Sequence, residues 1–203
     1  MIIGKWNRSV ILTYVGMISA VSGIILAFVA DRINYSIACL MVSGVCDLFD
    51  GMVARRCKRT EEERAFGIEL DSLVDVMSFI ALPIVIGLKA GVSCWWYIPE
   101  YIIFAISGIA RLAYFNVADA DSTGPVNYYT GLPVTYTALI IPFVFLLRLV
   151  IDDGVFRPVF ASVLMLIAIF GILKIKVIKP RGLWYGIFGI LAIILLVVYL
   201  VVI

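Results

Sequence analysis

The sequence predicts an all-α fold, a polytopic transmembrane helical bundle of about seven helices (six to eight) with a cytosolic N-terminus. Hydrophobic residues make up 64% of the 203 residues and charged residues only 15%, whereas about a quarter of a typical soluble domain is charged. The mean hydropathy is +1.12, and apolar runs recur from one end of the chain to the other. We therefore predict a single integral membrane domain over residues 1–203.

Seven apolar segments support this prediction, and each is close to the roughly 20 residues that cross the hydrocarbon layer. They cover residues 9–30, 33–54, 68–89, 95–117, 132–151, 156–174 and 183–203. Each is expected to be helical, because an open strand would leave unpaired backbone groups in lipid. The longest polar insertion, Ala118–Gly131, contains Gly-Pro and reads as an irregular loop, and Asp152–Gly154 marks the break before the sixth segment.

Lysine and arginine residues indicate which side of the membrane each loop faces. If the N-terminus is cytosolic, twelve of the sixteen fall on the cytosolic side: Lys5, Arg8, Arg55, Arg56, Lys58, Arg59, Arg64, Arg111, Lys174, Lys176, Lys179 and Arg181. The other four are Arg32, Lys89, Arg148 and Arg157. Because cytosolic loops carry an excess of positive charge, this distribution predicts cytosolic loops at residues 55–67, 118–131 and 174–182.

The composition also excludes several kinds of chemistry. The chain has no histidine, which rules out Ser-His-Asp and Cys-His nucleophile systems. Its four cysteines form no CxxC pair and no zinc-binding spacing, so we expect them to be reduced packing residues. The net charge of +2 gives no sign of a nucleic-acid partner, and we expect none.

The second and third segments carry aspartates at helical spacing. Asp47 and Asp50 are three residues apart and Asp71 and Asp75 are four apart, so each pair shares one helix face. A short loop joins the two helices as antiparallel neighbours, which predicts that the four carboxylates meet in one cleft. Carboxylates this close cannot all ionise without cations, and oxygen ligands suit Mg²⁺, Mn²⁺ or Ca²⁺. Two such ions would neutralise the cluster and clamp a phosphate.

Small residues and an arginine accompany the aspartates. Gly51, Ala54 and Gly67 keep the helix surface low, so that a ligand can approach the backbone closely. Arg55 offers a guanidinium group to a phosphate oxygen. The residues alone leave two other interpretations open. Asp–Arg pairs near helix ends often only solvate an interface, and a cation transporter also needs intramembrane carboxylates, typically near the midplane.

Taken together, these residues resemble the signature of the CDP-alcohol phosphatidyltransferases. The signature matches at eight positions, Asp47-x2-Asp50-Gly51-x2-Ala54-Arg55 and then Gly67-x3-Asp71-x3-Asp75. Eleven residues, Arg56–Phe66, separate the two halves, which is more than the family usually has. We expect the additional residues of the RTEEER stretch to lengthen a cytosolic loop without moving the carboxylates.

The resemblance implies a metal-dependent transferase that moves a phosphatidyl group from a CDP-linked lipid to an alcohol and releases CMP. It implies two divalent cations, Mg²⁺ or Mn²⁺, held by Asp47, Asp50, Asp71 and Asp75, with Asp75 also acting as the general base. The residues expected to bind the CDP-lipid are Asp47, Gly51, Ala54, Arg55, Gly67 and Asp71. Members of the family are commonly homodimers, so we expect a homodimer. From the distribution of lysine and arginine we expect it in the cell membrane with its active site facing the cytosol.

Two later stretches bear on the acceptor alcohol. GIARLAYFNVADAD (Gly108–Asp121) and YYTGLPVTYTA (Tyr128–Ala138) resemble the bacterial and archaeal phosphatidylserine synthases of this superfamily. Tyr114 stands where those enzymes commonly have a second arginine. The resemblance implies transfer from CDP-diacylglycerol to L-serine, giving phosphatidylserine and CMP. The alternatives are glycerol 3-phosphate or inositol phosphate as acceptor, or an ether-lipid donor. The residues expected to bind serine are Arg111, Asn116, Thr130 and Gly131.

Overall fold

The computed structural model describes residues 4–120, 128–178 and 183–201, and seven helices follow one another in these ranges. They are α1 Ile11–Phe28, α2 Ile33–Arg56, α3 Glu61–Lys89, α4 Ile98–Ala120, α5 Thr137–Leu146, α6 Asp153–Ile172 and α7 Leu183–Val201. Five of them, α1 to α4 and α6, are long and apolar enough to cross a membrane. The predicted all-α polytopic bundle is therefore confirmed, and the protein is an integral membrane protein.

The connection between α2 and α3 is shorter than the sequence suggested. Helix α2 continues to Arg56, and α3 begins at Glu61 rather than at the predicted residue 68. Thr60 and Glu63 form a capping box, in which each residue's side chain accepts a hydrogen bond from the other's backbone N–H. The expected longer loop is therefore wrong, because the glutamates of the RTEEER stretch form the first turn of α3.

Helix α5 is shorter than its predicted segment. Even with the 3₁₀ turns at its two ends it covers only Val134–Leu149, against the predicted residues 132–151. Asp152 starts α6 by accepting hydrogen bonds from the N–H groups of Gly154 and Val155, at 2.8 and 3.3 Å. The predicted break between the fifth and sixth segments is confirmed, since the N-cap at Asp152 fixes where the next helix begins.

A two-stranded β-ribbon was not predicted. Strand β1, Tyr128–Thr130, pairs antiparallel with strand β2, Lys176–Ile178, so that the chain after α4 is joined to the chain after α6. The strands are three residues each, too short for a periodic pattern in the sequence to reveal them. Lys179 and Arg181, which contributed to the predicted cytosolic charge, lie outside the described residues.

The core lies between the helices and is filled mainly by aliphatic and aromatic side chains. Phe145 packs edge-on against Phe156 and Phe160, with ring centroids 5.1 and 5.5 Å away. Helix α4 is tied to α6 by the Ser107 hydroxyl, which donates to the Ala168 carbonyl at 2.6 Å. Helix α1 runs along α2, and this pair carries one half of the predicted site.

Candidate metal and phosphate site

The short α2–α3 connection brings the predicted carboxylates together. Asp47, Asp71 and Asp75 each contribute one oxygen to a group in which all three atoms lie within 4.8 Å of one another. The capping box at Thr60 starts α3 only four residues after α2 ends, which keeps the two helices adjacent at this end. From the sequence, α2 and α3 were expected to be neighbours because a short connection joins them. The structure shows in addition that their aspartates face each other.

Asp50 stands beside this group rather than within it. Its carboxylate interacts with Asp71, and its Oδ2 atom accepts a hydrogen bond from the Thr13 hydroxyl at 3.1 Å. Asp50 and Asp75 are both 8% exposed, and Asp47 and Asp71 are half-buried. The sequence predicted that the four carboxylates meet in one cleft. In the structure three of them form a close group, and the fourth, Asp50, is next to that group and is also hydrogen-bonded to α1.

The donor set fits a hard divalent cation. Asp47, Asp71 and Asp75 offer only carboxylate oxygens, which is the ligand type that Mg²⁺, Mn²⁺ and Ca²⁺ prefer. Buried carboxylates at such short separations repel one another unless a cation or protons compensate their charge. The three residues, with Asp50 next to them, are therefore the ones in the described chain that would hold divalent metal.

A π-helical stretch begins directly after Asp75. It covers Val76–Ala81, in the middle of the otherwise α-helical α3. The Thr137 hydroxyl of α5 donates to the Phe79 carbonyl of this stretch at 3.3 Å. Each π turn holds more residues than an α turn, so the side chains after Asp75 face different directions from those that a regular helix would give. Such stretches are frequent at functional sites, and nothing in the sequence pattern predicted this one.

The glycines expected to make room for the nucleotide do have space around them. A β-carbon added at Gly51 would lie 3.5 Å from Nη1 of Arg55. One added at Gly67 would lie 3.9 Å from Nη1 of Arg59, so both glycines have a guanidinium group close by. Ala54 is half-buried on the same stretch of α2. Arg59 was not singled out from the sequence, where it is one of several basic residues in a row.

Arg111 lies at the carboxylates. It is only 8% exposed, and its charge acts on Asp47 and Asp75. Its guanidinium group also stacks over the Phe115 ring, with Cζ 4.5 Å from the ring centroid. A cation this close to two of the aspartates can bind an anionic group of a substrate that is itself near the metal ligands.

The other residues expected to bind serine have different surroundings. Asn116 accepts a hydrogen bond from the Ser72 hydroxyl at 3.1 Å, which ties α4 to α3 next to Asp71. Thr130 belongs to the β-ribbon and pairs with Lys176. Gly131 has a φ of +75° and donates its N–H to the Ile175 carbonyl at 2.8 Å. Thr130 and Gly131 therefore have evident roles in the chain turn, where a glycine favours the left-handed conformation.

Two residues that contact the carboxylates were missed from the sequence. The Thr135 side chain is hydrogen-bonded to Asp47, and the Thr13 side chain to Asp50. Thr135 lies in the YYTGLPVTYTA stretch, so attention to every hydroxyl there would have found it. Thr13 is a single hydroxyl in an apolar first helix, outside every motif, and carries no sequence signal of its contact.

An apolar groove of about 130 Å³ borders the carboxylate group at Asp47. Asp47 and Thr135, whose side chains are hydrogen-bonded to each other, are among the residues that line it. The remaining lining comes from three helices and includes Gly44, Leu48, Ala138, Leu139 and Ala192. Acidic metal ligands and an apolar groove therefore share a wall at Asp47, an arrangement that suits a substrate with a phosphate at one end and hydrocarbon at the other.

The sequence is similar to those of several known enzymes. The chain is 37% identical over 126 residues to the CDP-diacylglycerol–serine O-phosphatidyltransferase of Saccharomyces cerevisiae, covering 56% of this chain and 45% of that protein. It is 32% identical over 158 residues to the archaetidylserine synthase of Methanothermobacter thermautotrophicus, covering 75% and 65%. It is 29% identical over 130 residues to the CDP-diacylglycerol–serine O-phosphatidyltransferase of Helicobacter pylori, covering 59% and 50%.

The matched regions thus span about half to two thirds of the length of these three relatives. The family model described as CDP-alcohol phosphatidyltransferase matches residues 6–198, a range that includes every residue of the acidic group and of the groove. The eight signature positions, the three carboxylates that meet across α2 and α3, and this match lead to one assignment. The protein belongs to the CDP-alcohol phosphatidyltransferase family.

Proposed function

We propose that this protein transfers a phosphatidyl group from CDP-diacylglycerol to L-serine and releases CMP. The observation that carries the proposal is the junction at Asp47 of an acidic group and an apolar groove. The choice of serine is supported by the names of the relatives, two of which are serine phosphatidyltransferases and one an archaetidylserine synthase.

Four aspartates would hold the metal. Asp47, Asp71 and Asp75 supply three close oxygens, and Asp50 is the adjoining fourth carboxylate. Two bound Mg²⁺ or Mn²⁺ ions would offset the charge of the diphosphate and favour the departure of CMP. The chain's own residues then have three further tasks, which are to hold the donor, to orient the acceptor and to accept a proton.

The donor would be held at both its ends. The nucleotide and diphosphate would lie over Gly51, Ala54 and Gly67, where the backbone is accessible, with Arg55 binding a phosphate oxygen. Arg59, beside Gly67, would be a second cation for the diphosphate. An acyl chain would enter the groove past Ala192, so that hydrocarbon stays out of water while the nucleotide remains solvated.

The acceptor would be oriented by Arg111 and deprotonated by Asp75. Arg111 would bind the serine carboxylate, with Asn116 as a less direct contributor. The serine hydroxyl oxygen attacks the lipid-side phosphorus, its proton passes to the Asp75 carboxylate, and the bond from that phosphorus to the CMP oxygen breaks. With no histidine in the chain, a carboxylate is the natural base.

The same proposal includes the setting of the enzyme. The excess of lysine and arginine at the α2–α3 end favours a cytosolic N-terminus and an active site that faces the cytosol. A homodimer is proposed from the family resemblance, and chemical crosslinking in native membranes tests it. A ladder that stops at the monomer under conditions that crosslink a known membrane dimer would contradict the homodimer alone.

The reaction is tested with purified protein, CDP-diacylglycerol and Mn²⁺ or Mg²⁺, by measuring CMP release with each alcohol in turn. We expect CMP with L-serine and none when EDTA removes the metal. CMP with glycerol 3-phosphate or inositol phosphate but not with serine would overturn the choice of acceptor. No CMP with any alcohol would overturn the transferase proposal and leave cation transport as the reading to examine.

The groove is tested separately with a matched pair of variants on α7. Ala192→Phe fills the groove and should slow the reaction with long-chain CDP-diacylglycerol more than with a dibutyryl analogue. Ile190→Phe places the same new side chain on the same helix at a position that is 60% exposed, and should change neither rate. Equal effects of the two variants would argue against a lipid chain in this groove.

A further inference from the structure

Helix α1 lies outside the family signature but packs very closely against α2. A β-carbon added at Gly16 would lie 3.3 Å from the Cys46 β-carbon, and one at Gly23 only 2.9 Å from that of Cys39. The two helices therefore touch nearly backbone to backbone, which small residues allow within a membrane. At this distance even a short side chain of α1 reaches the α2 residues that carry the carboxylates.

Two hydrogen bonds fix how α1 is aligned along α2. The Ser43 hydroxyl of α2 donates to the Gly16 carbonyl at 2.8 Å, and the Ser19 hydroxyl of α1 donates to the Cys39 carbonyl at 2.9 Å. A shift of either helix along its axis would break both bonds. The position of every α1 side chain relative to α2 is therefore determined.

Thr13 is the α1 residue that this alignment brings to the carboxylates. It is 6% exposed, and its hydroxyl donates to Oδ2 of Asp50 at 3.1 Å. Asp50 is also the carboxylate that stands beside the close group of three. A hydrogen bond to one carboxylate oxygen restricts rotation of the carboxylate plane, and such bonds are stronger when the acceptor is ionised.

We propose that Thr13 is a positioning residue that orients Asp50 for divalent-cation binding. The proposal rests on the proposed metal-dependent function and extends it to a residue on a helix that carries no signature position. Residues that hydrogen-bond to a metal-binding carboxylate set its orientation, and their removal typically lowers metal affinity about 10- to 100-fold. Thr13 does not contact substrate in this proposal and acts only through Asp50.

The test measures Mn²⁺ binding to the purified full-length protein without nucleotide or lipid substrate, from the free Mn²⁺ signal in electron paramagnetic resonance. Thr13→Val keeps the shape of the side chain but removes the donor, and should weaken Mn²⁺ binding about 10-fold or more. Thr13→Ser keeps the hydroxyl and should bind Mn²⁺ within about threefold of the wild type. Thr13→Ala replaces Thr13→Val if the latter does not yield folded protein.

Ser19→Ala is the matched control. It also removes one α1–α2 hydrogen bond, at a position nearly two turns further along α1, while the Ser43–Gly16 bond and the close contacts at Gly16 and Gly23 still hold the alignment of the two helices. It should lower the unfolding temperature to a similar extent as Thr13→Val while leaving Mn²⁺ binding unchanged. If Ser19→Ala and Thr13→Val weaken Mn²⁺ binding equally, Thr13 contributes only to helix packing and the proposal fails.

A double-mutant cycle with Asp50→Asn separates action through Asp50 from a direct effect. Adding Thr13→Val to Asp50→Asn should cause no further loss of Mn²⁺ affinity, whereas additive losses would overturn the proposal. These readouts do not depend on the transfer reaction. A wild type that binds Mn²⁺ but releases no CMP would therefore overturn the proposed function and leave the role of Thr13 standing.

Discussion

Acidic residues at the two ends of the α2–α3 helix pair have different surroundings. Near the end where α2 finishes and α3 begins, four aspartates lie close together, two of them buried and two half-buried, and Arg111 acts on two of them. At the other end, where the start of α2 lies beside the turn between α5 and α6, each of two carboxylates has a cation of its own. Lys89 lies 2.7 Å from Asp31, and Arg148 lies 2.7 Å from Asp153.

Exposure explains why the two ends differ. Asp31 and Asp153 have side chains that are 78% and 50% exposed, so water already solvates them and their ion pairs contribute little to stability. Asp50 and Asp75 are 8% exposed, and removing a charge from water is costly unless other groups compensate it. A fold under selection for stability alone would not assemble such a group. This contrast supports a ligand-binding role for the buried carboxylates and a structural role for the exposed ones.

The largest expected effect comes from the buried carboxylates. Asp71→Ala and Asp75→Asn should each lower turnover by about 10²–10⁴-fold or abolish it, because one removes a metal ligand and the other the proposed base. Asp75→Asn should still bind the CDP-lipid, as measured by equilibrium binding. Asp153→Asn, at the exposed end, is the control and should retain wild-type CMP release. Substantial activity in either buried-carboxylate variant would contradict the proposed site.

Arg111 should give the next largest effect. Arg111→Gln removes the charge near Asp47 and Asp75 and should raise the KM for serine about 10-fold or more, which corresponds to about 1.4 kcal/mol. The KM for CDP-diacylglycerol should change less, because the donor diphosphate is assigned to other cations. Initial rates of CMP release over both substrate concentrations distinguish these outcomes. An equal change in the two constants would argue that Arg111 only compensates the carboxylates.

Two glycines on the same helix pair sharpen the comparison. A β-carbon at Gly87 would lie 2.5 Å from the Tyr101 hydroxyl and 2.6 Å from the Phe160 ring, so Gly87→Ala should destabilise the fold by about 1–3 kcal/mol. A β-carbon at Gly51 would make only an ordinary contact with Arg55, so Gly51→Ala should fold normally but release CMP more slowly if the nucleotide approaches the backbone there. Unfolding temperature and CMP release should be measured on both variants. Gly87→Ala should lower the unfolding temperature, and Gly51→Ala should lower only the rate of CMP release. Lost stability without lost activity in Gly51→Ala would contradict its assigned role.

The smallest effect should come from the exposed ion pair. A hydrogen bond from Lys89 and its charge lower the pKa of Asp31 below its ordinary value of 3.8. Because the pKa of Asp31 is lower in the folded state, the ion pair stabilises the fold fully at pH values above the ordinary pKa of 3.8. This contribution is lost as the pH falls through the lowered pKa. Asp31→Asn should therefore cause a slight drop in unfolding temperature at pH 7 and a smaller drop at pH 3. A drop that grows toward pH 3 would contradict this assignment.

Much of the site followed from spacing alone. Intervals of three and four residues put Asp47 with Asp50 and Asp71 with Asp75 on single helix faces, and the short connection made the helices neighbours. The structure brings Asp47, Asp71 and Asp75 together as this reasoning predicted. Asp50 differs from the other three because it accepts a hydrogen bond from the Thr13 hydroxyl of α1. Helical periodicity within α2 cannot predict a contact with a residue of another helix.

Loops and local helix irregularities were harder to predict from the sequence. The predicted loop at residues 55–67 is mostly helix, since the capping box outweighs the polar character of the stretch. The π-helical turn after Asp75 has no compositional signature, and its contact with α5, the hydrogen bond from Thr137 to the Phe79 carbonyl, joins residues 58 positions apart. The β-ribbon joins segments more than forty residues apart, and a three-residue pairing is set by where the flanking helices place the strands.

The sequence by itself determined the class of the protein, its helical segments and the identity of the acidic residues. It did so because the cost of exposing backbone groups to lipid leaves helices as the structure for long apolar runs, and because residues three and four apart must share a helix face. Only the tertiary structure decided which residues of other helices reach those aspartates. Thr13, Arg111 and Thr135 come from three different parts of the chain, and their convergence depends on how closely the helices pack, a property of all the interfaces together.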